Sequence, residues 1–370
     1  MSFYGTISAY KGRGQAQIFK NVPPELLRKA LRADEVTDGQ FASLLSQGAQ
    51  GSLEEMAGRS RELTLRYFGR TVQLYTPLYL SNYCDNGCVY CGFNSANTLE
   101  RKRLSVEEVE KEARLISSTG LKHILVLTGD SREKSPVSYI KSCVKALKKY
   151  FDSISIEIYA LTEDEYAELA REGVDGLTIY QEVYDEDIYS SVHPAGPKRD
   201  YKFRLDAPER GAAAGFRNVS IGTLFGLGDW RREVFLMGLH ARYLMDKFPG
   251  VDIGASIPRI RPNAGAFSPM VEVSDSDIVQ TITALRIFLP RLSISVSTRE
   301  DPGFRENILP IGVTRMSAGS TTCVGGHSIK ADENGRAPQF EISDRRSVDE
   351  IRAMLEKKGY QPVFKDWMEI

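Results

Sequence analysis

Hydrophobic runs long enough to cross a membrane are missing from this 370-residue sequence. A membrane-spanning helix needs about 20 consecutive apolar residues, and no stretch approaches that length. The first residues, MSFYGTISAYKGRGQ, lack a cationic head followed by an apolar core, so we expect no signal peptide. These absences predict a cytoplasmic protein with no membrane partner.

An excess of charge is also missing, because 48 basic residues nearly balance 49 acidic ones, for a formal net charge of −1. This balance gives no electrostatic reason to expect a nucleic-acid partner. Cysteine is scarce, and its odd count of five argues against a disulfide framework in a chain of this size. The four histidines show no ligand-like spacing and predict no metal site of their own.

Strand and helix patterns alternate from about residue 71 onward. Residues 153–161 alternate with period two, and residues 105–120 carry an apolar stripe at helical spacing behind a Ser105–Glu108 capping box. Eight runs read as strands, at residues 72–82, 123–129, 153–161, 176–183, 218–226, 251–261, 291–300 and 311–318.

Eight strands that alternate with helices predict an α/β protein with a parallel sheet, because parallel neighbours need crossover connections. We expect a closed (β/α)8 barrel of the TIM type, with a doubly wound open sheet as the alternative. Residues 1–70 are predicted to form a helical N-terminal extension, residues 71–318 the barrel, and residues 319–370 a C-terminal tail that packs on the barrel and ends in one helix. In such a barrel the chemistry lies at the C-terminal ends of the strands.

Three cysteines follow the first predicted strand in the pattern C-x3-C-x2-C, at Cys84, Cys88 and Cys91. Thiolates suit iron–sulfur clusters and zinc. Three of them hold three corners of a [4Fe–4S] cubane and leave the fourth iron open to S-adenosylmethionine (SAM). A structural zinc site, the alternative, wants four protein ligands. Cys143 reads as a buried helical residue and Cys323 as a distant loop residue.

Several segments, cysteine motif included, resemble one known family. They extend from about residue 70 to the end and include LYLSNYCDNGCVYCGF, LTGDSREKSPVSYI, IEIYALTEDEY, IGTLFGLGDWRRE, IPRIRPNAGAF, STREDPGFRENILPIG and QPVFKDW. Together they are similar to the aromatic-amino-acid lyase branch of the radical SAM superfamily. Within that branch the sequence most resembles the 2-iminoacetate synthases, the tyrosine lyases of thiamine thiazole biosynthesis.

The resemblance implies a lyase that cleaves the Cα–Cβ bond of L-tyrosine to 2-iminoacetate and p-cresol, while SAM is split to methionine and 5′-deoxyadenosine. It implies a [4Fe–4S] cluster and SAM as cofactors, flavodoxin or ferredoxin as reductant, and thiazole synthase as protein partner. The alternatives are a tryptophan lyase, the core of a hydrogenase-maturation tyrosine lyase, and a non-catalytic iron–sulfur scaffold. Hydrogenase-maturation relatives add cluster-binding cysteines in a C-terminal domain, and no cysteine here follows Cys323.

The candidates for SAM contacts lie mostly at or near the ends of predicted strands, and Arg204 is a candidate from the resemblance alone. The resemblance implies that an aromatic residue next to the third cysteine packs near adenine, that a Gly–acid pair meets the amino group, and that a further acid and an arginine meet the ribose and carboxylate. The alternatives are a turn or helix cap for Asp130, an ion pair for Glu182, a surface salt bridge for Arg204 and a simple tight turn for the glycines. The candidates are Tyr90, Gly129, Asp130 (where relatives carry Glu), Glu182, Arg204 and, as room for adenine, Gly222 with Gly226.

A substrate amino acid brings a carboxylate, and an arginine offers a planar bidentate clamp for it. Arg299 ends the seventh predicted strand, where a buried guanidinium is costly unless it meets an anion. Arg259 and Arg261 compete for the same role. The resemblance adds three candidates for the wall of the substrate pocket, with a packing role as the alternative for each, namely Tyr79, Asn86 and Ser317.

Overall fold

A closed barrel of eight parallel strands forms the centre of the computed structural model, which describes residues 2–10, 19–20, 22–328 and 338–365. The strands are β1 (Thr71–Ser81), β2 (His123–Thr128), β3 (Ser153–Glu157), β4 (Gly176–Thr178), β5 (Asn218–Gly222), β6 (Asp252–Ser256), β7 (Ser293–Val296) and β8 (Arg315–Ser317). Because β1 pairs with both β2 and β8, the sheet closes on itself. The TIM-type barrel is therefore confirmed, and the open doubly wound sheet is wrong.

All eight predicted strands exist, but most stop earlier than the sequence pattern suggests. The run 176–183, for example, leaves the sheet after Thr178, and Glu182 adopts a left-handed φ of 70°. That conformation cannot continue a strand, and it is rare for a residue other than glycine. The segments beyond the strand ends form the walls of a cavity, so the apolar pattern continues although the sheet does not.

Helices connect successive strands on the outside of the barrel. The first four precede it: α1 (Tyr4–Tyr10), α2 (Pro24–Arg32), α3 (Asp38–Leu44) and α4 (Leu53–Phe68). The next nine lie between β1 and β8: α5 (Val106–Ser118), α6 (Val137–Leu147), α7 (Glu163–Glu172), α8 (Glu186–Val192), α9 (Tyr201–Leu205), α10 (Ala207–Ala213), α11 (Trp230–Lys247), α12 (Asp275–Phe288) and α13 (Pro302–Ile308). None of the described helices combines the length and apolarity needed to cross a membrane.

The N-terminal helices pack against the flank formed by α11 and α12. The ring of Phe41 stacks on that of Phe288, with centroids 4.0 Å apart, and a second stacked contact joins Phe41 to Phe235. Gln280 donates hydrogen bonds from Nε2 to the carbonyls of Leu44 and Ser46, at 2.9 and 2.8 Å. The first 70 residues are thus helical where described, while their limits as a separate unit stay a prediction.

The C-terminal tail contains α14 (Val348–Lys357) and then a ninth strand, β9 (Gln361–Val363). This strand pairs in parallel with Thr71–Gln73 at the start of β1. The expectation that the tail ends in a helix is therefore wrong. Three residues with a central proline give no period-two signal, so the pattern could not reveal β9. Residues 329–337 and 366–370, including the end of the QPVFKDW segment, lie outside the described residues.

Candidate active site

A deep cavity opens at the C-terminal ends of the barrel strands. Gly222, Gly226 and Arg259 are the predicted candidates that do not line it. Its walls include the other candidates, namely Tyr79, Cys84, Asn86, Cys88, Tyr90, Cys91, Gly129, Asp130, Glu182, Arg204, Arg261, Arg299 and Ser317.

The three predicted ligands, Cys84, Cys88 and Cys91, lie together on the loop after β1 and are free thiols facing this cavity. Burial raises the pKa of the first two to about 12 and that of Cys91 to about 11. Bound iron would offset this cost, because a metal favours the thiolate.

Among the described residues, no three His, Cys, Asp or Glu side chains converge on a single ion. A zinc site needs one tetrahedral centre, whereas in a cubane each thiolate meets its own iron. Three free thiols on one loop are compatible with three corners of such a cluster.

Two predicted residues hold the cysteine loop in place. Asn86 donates from Nδ2 to Asp130 Oδ2 at 2.7 Å, and its Oδ1 accepts from the backbone N–H of Lys198 at 2.9 Å. Gly129 lies so close to the loop that a Cβ there would be 2.3 Å from the carbonyl oxygen of Tyr83. Asp130 is thus neither an isolated turn residue nor a helix cap, and the amide of Asn86 is already committed to neighbouring protein groups.

Tyr90 is oriented by a buried histidine. Its Oη lies 2.7 Å from His193 Nε2, and His193 Nδ1 lies 2.8 Å from the carbonyl oxygen of Tyr189. Burial lowers the pKa of His193 to about 2, so the imidazole is neutral. Nδ1 must then carry the proton that meets the carbonyl, which leaves Nε2 to accept from the tyrosine hydroxyl. The ring of Tyr90 is thereby fixed on the cavity wall.

Opposite charges meet in the same part of the cavity. Lys198 Nζ lies 2.7 Å from Glu182 Oε1, and an Arg204 nitrogen lies 3.9 Å from the same oxygen. Although burial opposes it, the acidic neighbours raise the pKa of Lys198. Arg204 also donates from Nε to the carbonyl of Tyr180 at 2.8 Å and is buried, so the surface salt bridge is wrong. Lys198 was not among the predicted residues.

Gly222, the candidate for making room for adenine, does not line the cavity itself. It lies beneath the ring of Tyr180, where a Cβ would be 2.6 Å from the ring carbon Cδ1 and 2.8 Å from the carbonyl oxygen of Ser256. The glycine therefore lets the Tyr180 ring reach the cavity wall. Gly226, with φ of 111°, packs instead near Ile260 and Pro269.

Arg299 reaches the cavity with no carboxylate of the described residues within ion-pair distance. Its guanidinium lies 3.4 Å from the centroid of the Phe340 ring and donates to the carbonyl of Arg259 at 3.2 Å. Burial lowers its pKa. The competitor Arg259 is instead bound to Glu300 and Asp275. Arg261, the other competitor, lines the cavity and donates to Ser343 Oγ.

A further acid, Glu157, was missed by the sequence interpretation. It is the last residue of β3 and faces the cavity. Burial raises its pKa from an ordinary 4.5 to about 7, and repulsion from Glu182 adds to this, while Arg299 acts against it. The period-two pattern of β3 was the available signal, because Glu157 follows Ser155 on the face opposite Ile154 and Ile156.

Hydroxyl groups line the deep end of the cavity. Tyr75, Tyr180, Ser256 and Ser295 belong to this wall and also border a second cavity lower in the barrel. Tyr75 Oη lies 3.1 Å from Ser295 Oγ. Nearer the mouth, Ser317 Oγ accepts from the backbone N–H of Thr298 at 3.1 Å.

Comparison with protein families gives two matches. Residues 78–235 match the radical SAM superfamily, and residues 256–361 match the biotin and thiamin synthesis associated domain. A 2-iminoacetate synthase of Escherichia coli K12 is 38% identical over 342 residues, which cover 92% of this chain and 90% of the relative. The corresponding protein of Salmonella typhimurium is 36% identical over the same share of each chain.

Solved structures give the same architecture. A crystal structure of HydG, a maturase of the [FeFe]-hydrogenase, superposes with a TM-score of 0.86 at 33% identity and covers 98% of this chain and 79% of the other. Methylornithine synthase (PylB) superposes with a TM-score of 0.73, covering 91% of this chain and 97% of the other, and at 22% identity it supports the fold alone.

Proposed function

The chain belongs to the family of 2-iminoacetate synthases, radical SAM enzymes that are carbon–carbon lyases, and we propose from this membership that its substrate is L-tyrosine. The proposed reaction breaks the Cα–Cβ bond and yields 2-iminoacetate and p-cresol. SAM is consumed to give methionine and 5′-deoxyadenosine. The two-carbon product supplies the thiazole moiety of thiamine.

The observation that carries this proposal is the presence in one cavity of three cysteines and an arginine that pairs with no carboxylate of the described residues. Cys84, Cys88 and Cys91 would hold a [4Fe–4S] cluster, which, with SAM, supplies the radical that removes a hydrogen atom from the substrate. The non-catalytic scaffold alternative gives no reason for acidic and basic side chains to line the cavity beside such a cluster.

Groups of both charges next to the cysteine loop suit SAM. SAM carries an ammonium, a carboxylate and a sulfonium, so its binding needs acids and bases together. Asp130 and Glu182 offer the acids, while Arg204 and Lys198 offer the bases. Tyr90, fixed by His193, offers an aromatic face for adenine. These contacts are our proposal for the SAM site.

The rest of the cavity suits tyrosine. Arg299 is a fitting partner for the carboxylate, since it meets no acid of the described protein within 4 Å. The hydroxyl groups of Tyr75, Ser256 and Ser295 give the phenol donors and acceptors at the deep end. Tyr79 and Ser317 also line the cavity, between Arg299 and these hydroxyl groups. The enclosing walls hold the bond to be broken near the radical and exclude water.

Two protein partners complete the proposal. The cluster needs an external one-electron donor, for which flavodoxin or ferredoxin is suited. The imine product hydrolyses in water, so direct transfer to thiazole synthase would protect it.

Product analysis tests the proposed reaction. Anaerobically reduced enzyme with SAM and L-tyrosine should release p-cresol and, from hydrolysis of the imine, an equal amount of glyoxylate, trapped as a hydrazone. Substantial carbon monoxide or cyanide would assign the chain to the hydrogenase-maturation reaction instead. Turnover of tryptophan, with tyrosine left intact, would assign it to the tryptophan lyases.

Single cysteine variants test the cluster assignment. Cys84→Ala, Cys88→Ala and Cys91→Ala should each abolish release of 5′-deoxyadenosine, because three thiolates are the minimum anchor for a cubane with one open iron. Cys143→Ala is the matched control, since this thiol is buried in α6 away from the cavity. Normal SAM cleavage in any of the three variants would contradict the assignment.

A further inference from the structure

A segment of the C-terminal tail crosses the mouth of the cavity. We call residues 338–344 the strap. Its backbone donates from Gln339 to the carbonyl of Thr322 at 3.1 Å, and from Ser343 and Asp344 to the carbonyl of Thr298 at 2.9 and 3.1 Å. The strap therefore has a defined path between the end of β7 and the loop after β8.

The cysteine loop is shaped to receive the strap. Gly92, next to the last cysteine, donates its backbone N–H to the carbonyl of Gln339 at 3.2 Å. A Cβ at Gly92 would lie 2.3 Å from that same oxygen, so no other residue fits there without moving one of the two segments. The contact between strap and loop is thus built into the backbone of both.

The side chain of Gln339 reaches the proposed cluster ligand itself. Its Nε2 lies 3.7 Å from Cys91 Sγ, and its Oε1 accepts from Tyr79 Oη at 2.7 Å. A tyrosine hydroxyl can donate or accept, so the partner that decides the orientation of the amide is the sulfur. The NH2 group faces the sulfur, because a thiolate in a cluster can only accept.

We propose that Gln339 is a positioning residue that raises the reduction potential of the cluster, by donating a hydrogen bond to the sulfur of Cys91. Hydrogen bonds to cluster sulfurs are a main determinant of potential, since they stabilise the more negative, reduced state. Tyr79 holds the donor in place, and Gly92 allows its backbone to approach. The inference rests on the cluster of the proposed function, but not on the identity of the substrate.

Two substitutions separate the hydrogen bond from the bulk of the side chain. Gln339→Leu keeps the approximate volume without a donor. Gln339→Glu can still accept from Tyr79, but it has no second donor and adds a negative charge. Glu341→Gln is the matched control, because this exposed side chain belongs to the same strap.

The measurement is an anaerobic redox titration of the reconstituted cluster, followed by electron paramagnetic resonance without SAM or tyrosine. At the midpoint potential of the wild type, we expect the ratio of reduced to oxidised cluster to fall up to tenfold in Gln339→Leu, equivalent to about 59 mV for one electron. The fall should be larger in Gln339→Glu, while Glu341→Gln should match the wild type.

Equal midpoints in the wild type and a fully loaded Gln339→Leu would overturn the inference. If that variant fails to hold iron and sulfide, Gln339→Glu decides alone. Failure of both to load would also overturn it, because Gln339 would then serve to keep the loop intact. A wild type with no [4Fe–4S] signal at all would instead refute the proposed function.

Discussion

Arg299 has a guanidinium inside the cavity and no acidic partner among the described residues. We predict that Arg299→Ala weakens tyrosine binding while the cluster content stays unchanged. Loss of a charge-assisted bidentate contact costs on the order of 2–4 kcal/mol, seen as a large rise in KM. Arg299→Lys should recover only part of it, because an ammonium lacks the planar fork. If the KM for tyrosine is unchanged, Arg299 does not bind the substrate carboxylate, and Arg261, which faces the same cavity, is the next candidate.

Glu157 ties the stability of the protein to pH. Its pKa is about 7 in the folded chain against an ordinary 4.5, mainly because of burial. Folding therefore favours the neutral carboxyl. The contribution of Glu157 to the free energy of unfolding is fully present below pH 4.5 and is lost as the pH rises through about 7. The loss is on the order of 3 kcal/mol.

Glu157→Gln keeps the neutral form at every pH, so it should raise the unfolding temperature relative to the wild type at pH 8. The two proteins should unfold at similar temperatures near pH 5. Thermal unfolding at both pH values checks this, and a difference that does not depend on pH would contradict it.

Sequence reasoning reached the site residues that end a predicted strand or belong to the cysteine motif, because in a barrel these positions converge. Glu157 was overlooked because the strand was predicted to run to residue 161, whereas β3 ends at Glu157. Lys198 and Gln339 do not end a predicted strand, since one lies in a turn before α9 and the other comes from the tail. Loop residues show no periodicity, so their approach to the site depends on contacts that no local pattern reveals.

The strap is anchored by a buried ion pair. Arg305 in α13 and Asp344 at the end of the strap are both 0% exposed and contact each other, and Arg346 adds a second guanidinium to the same carboxylate. We predict that Asp344→Asn lowers the free energy of unfolding by about 3–5 kcal/mol, because it leaves a buried cation without its partner.

Replacing both members by apolar residues removes that penalty. Arg305→Met combined with Asp344→Leu should regain much of the stability lost in Asp344→Asn, measured by denaturant unfolding. If the double variant is as unstable as the single one, the strap depends on the specific hydrogen bonds of the pair instead.

The helices and strands could be predicted where local rules decide them. The predicted capping box at Ser105 forms, and α5 begins directly after it. β9 could not be predicted, because three residues pair only where β1 extends beyond β2. Periodicity predicted whether a segment is a helix or a strand. The length of a strand depends on the neighbouring strand with which it pairs.

The closed barrel as a whole was predictable because the same strand–helix unit occurs eight times. The strap that crosses the mouth of the barrel was not predictable from the sequence. Tyr79 and Gln339 are 260 positions apart, yet they share a hydrogen bond. Contacts of that separation arise from the path of the tail across the finished barrel, and one sequence contains no periodic trace of such a path.

Strand β1 pairs with β2, β8 and β9, and this pairing has a consequence for the order in which the protein is made. A ribosome delivers β1 and its three cysteines early, but it delivers β8, the strap and β9 last. Until then a growing chain carries the thiols on an open sheet, exposed to oxidants and stray metals. The proposed cluster would therefore have its complete surroundings only after β8, the strap and β9 have been synthesised.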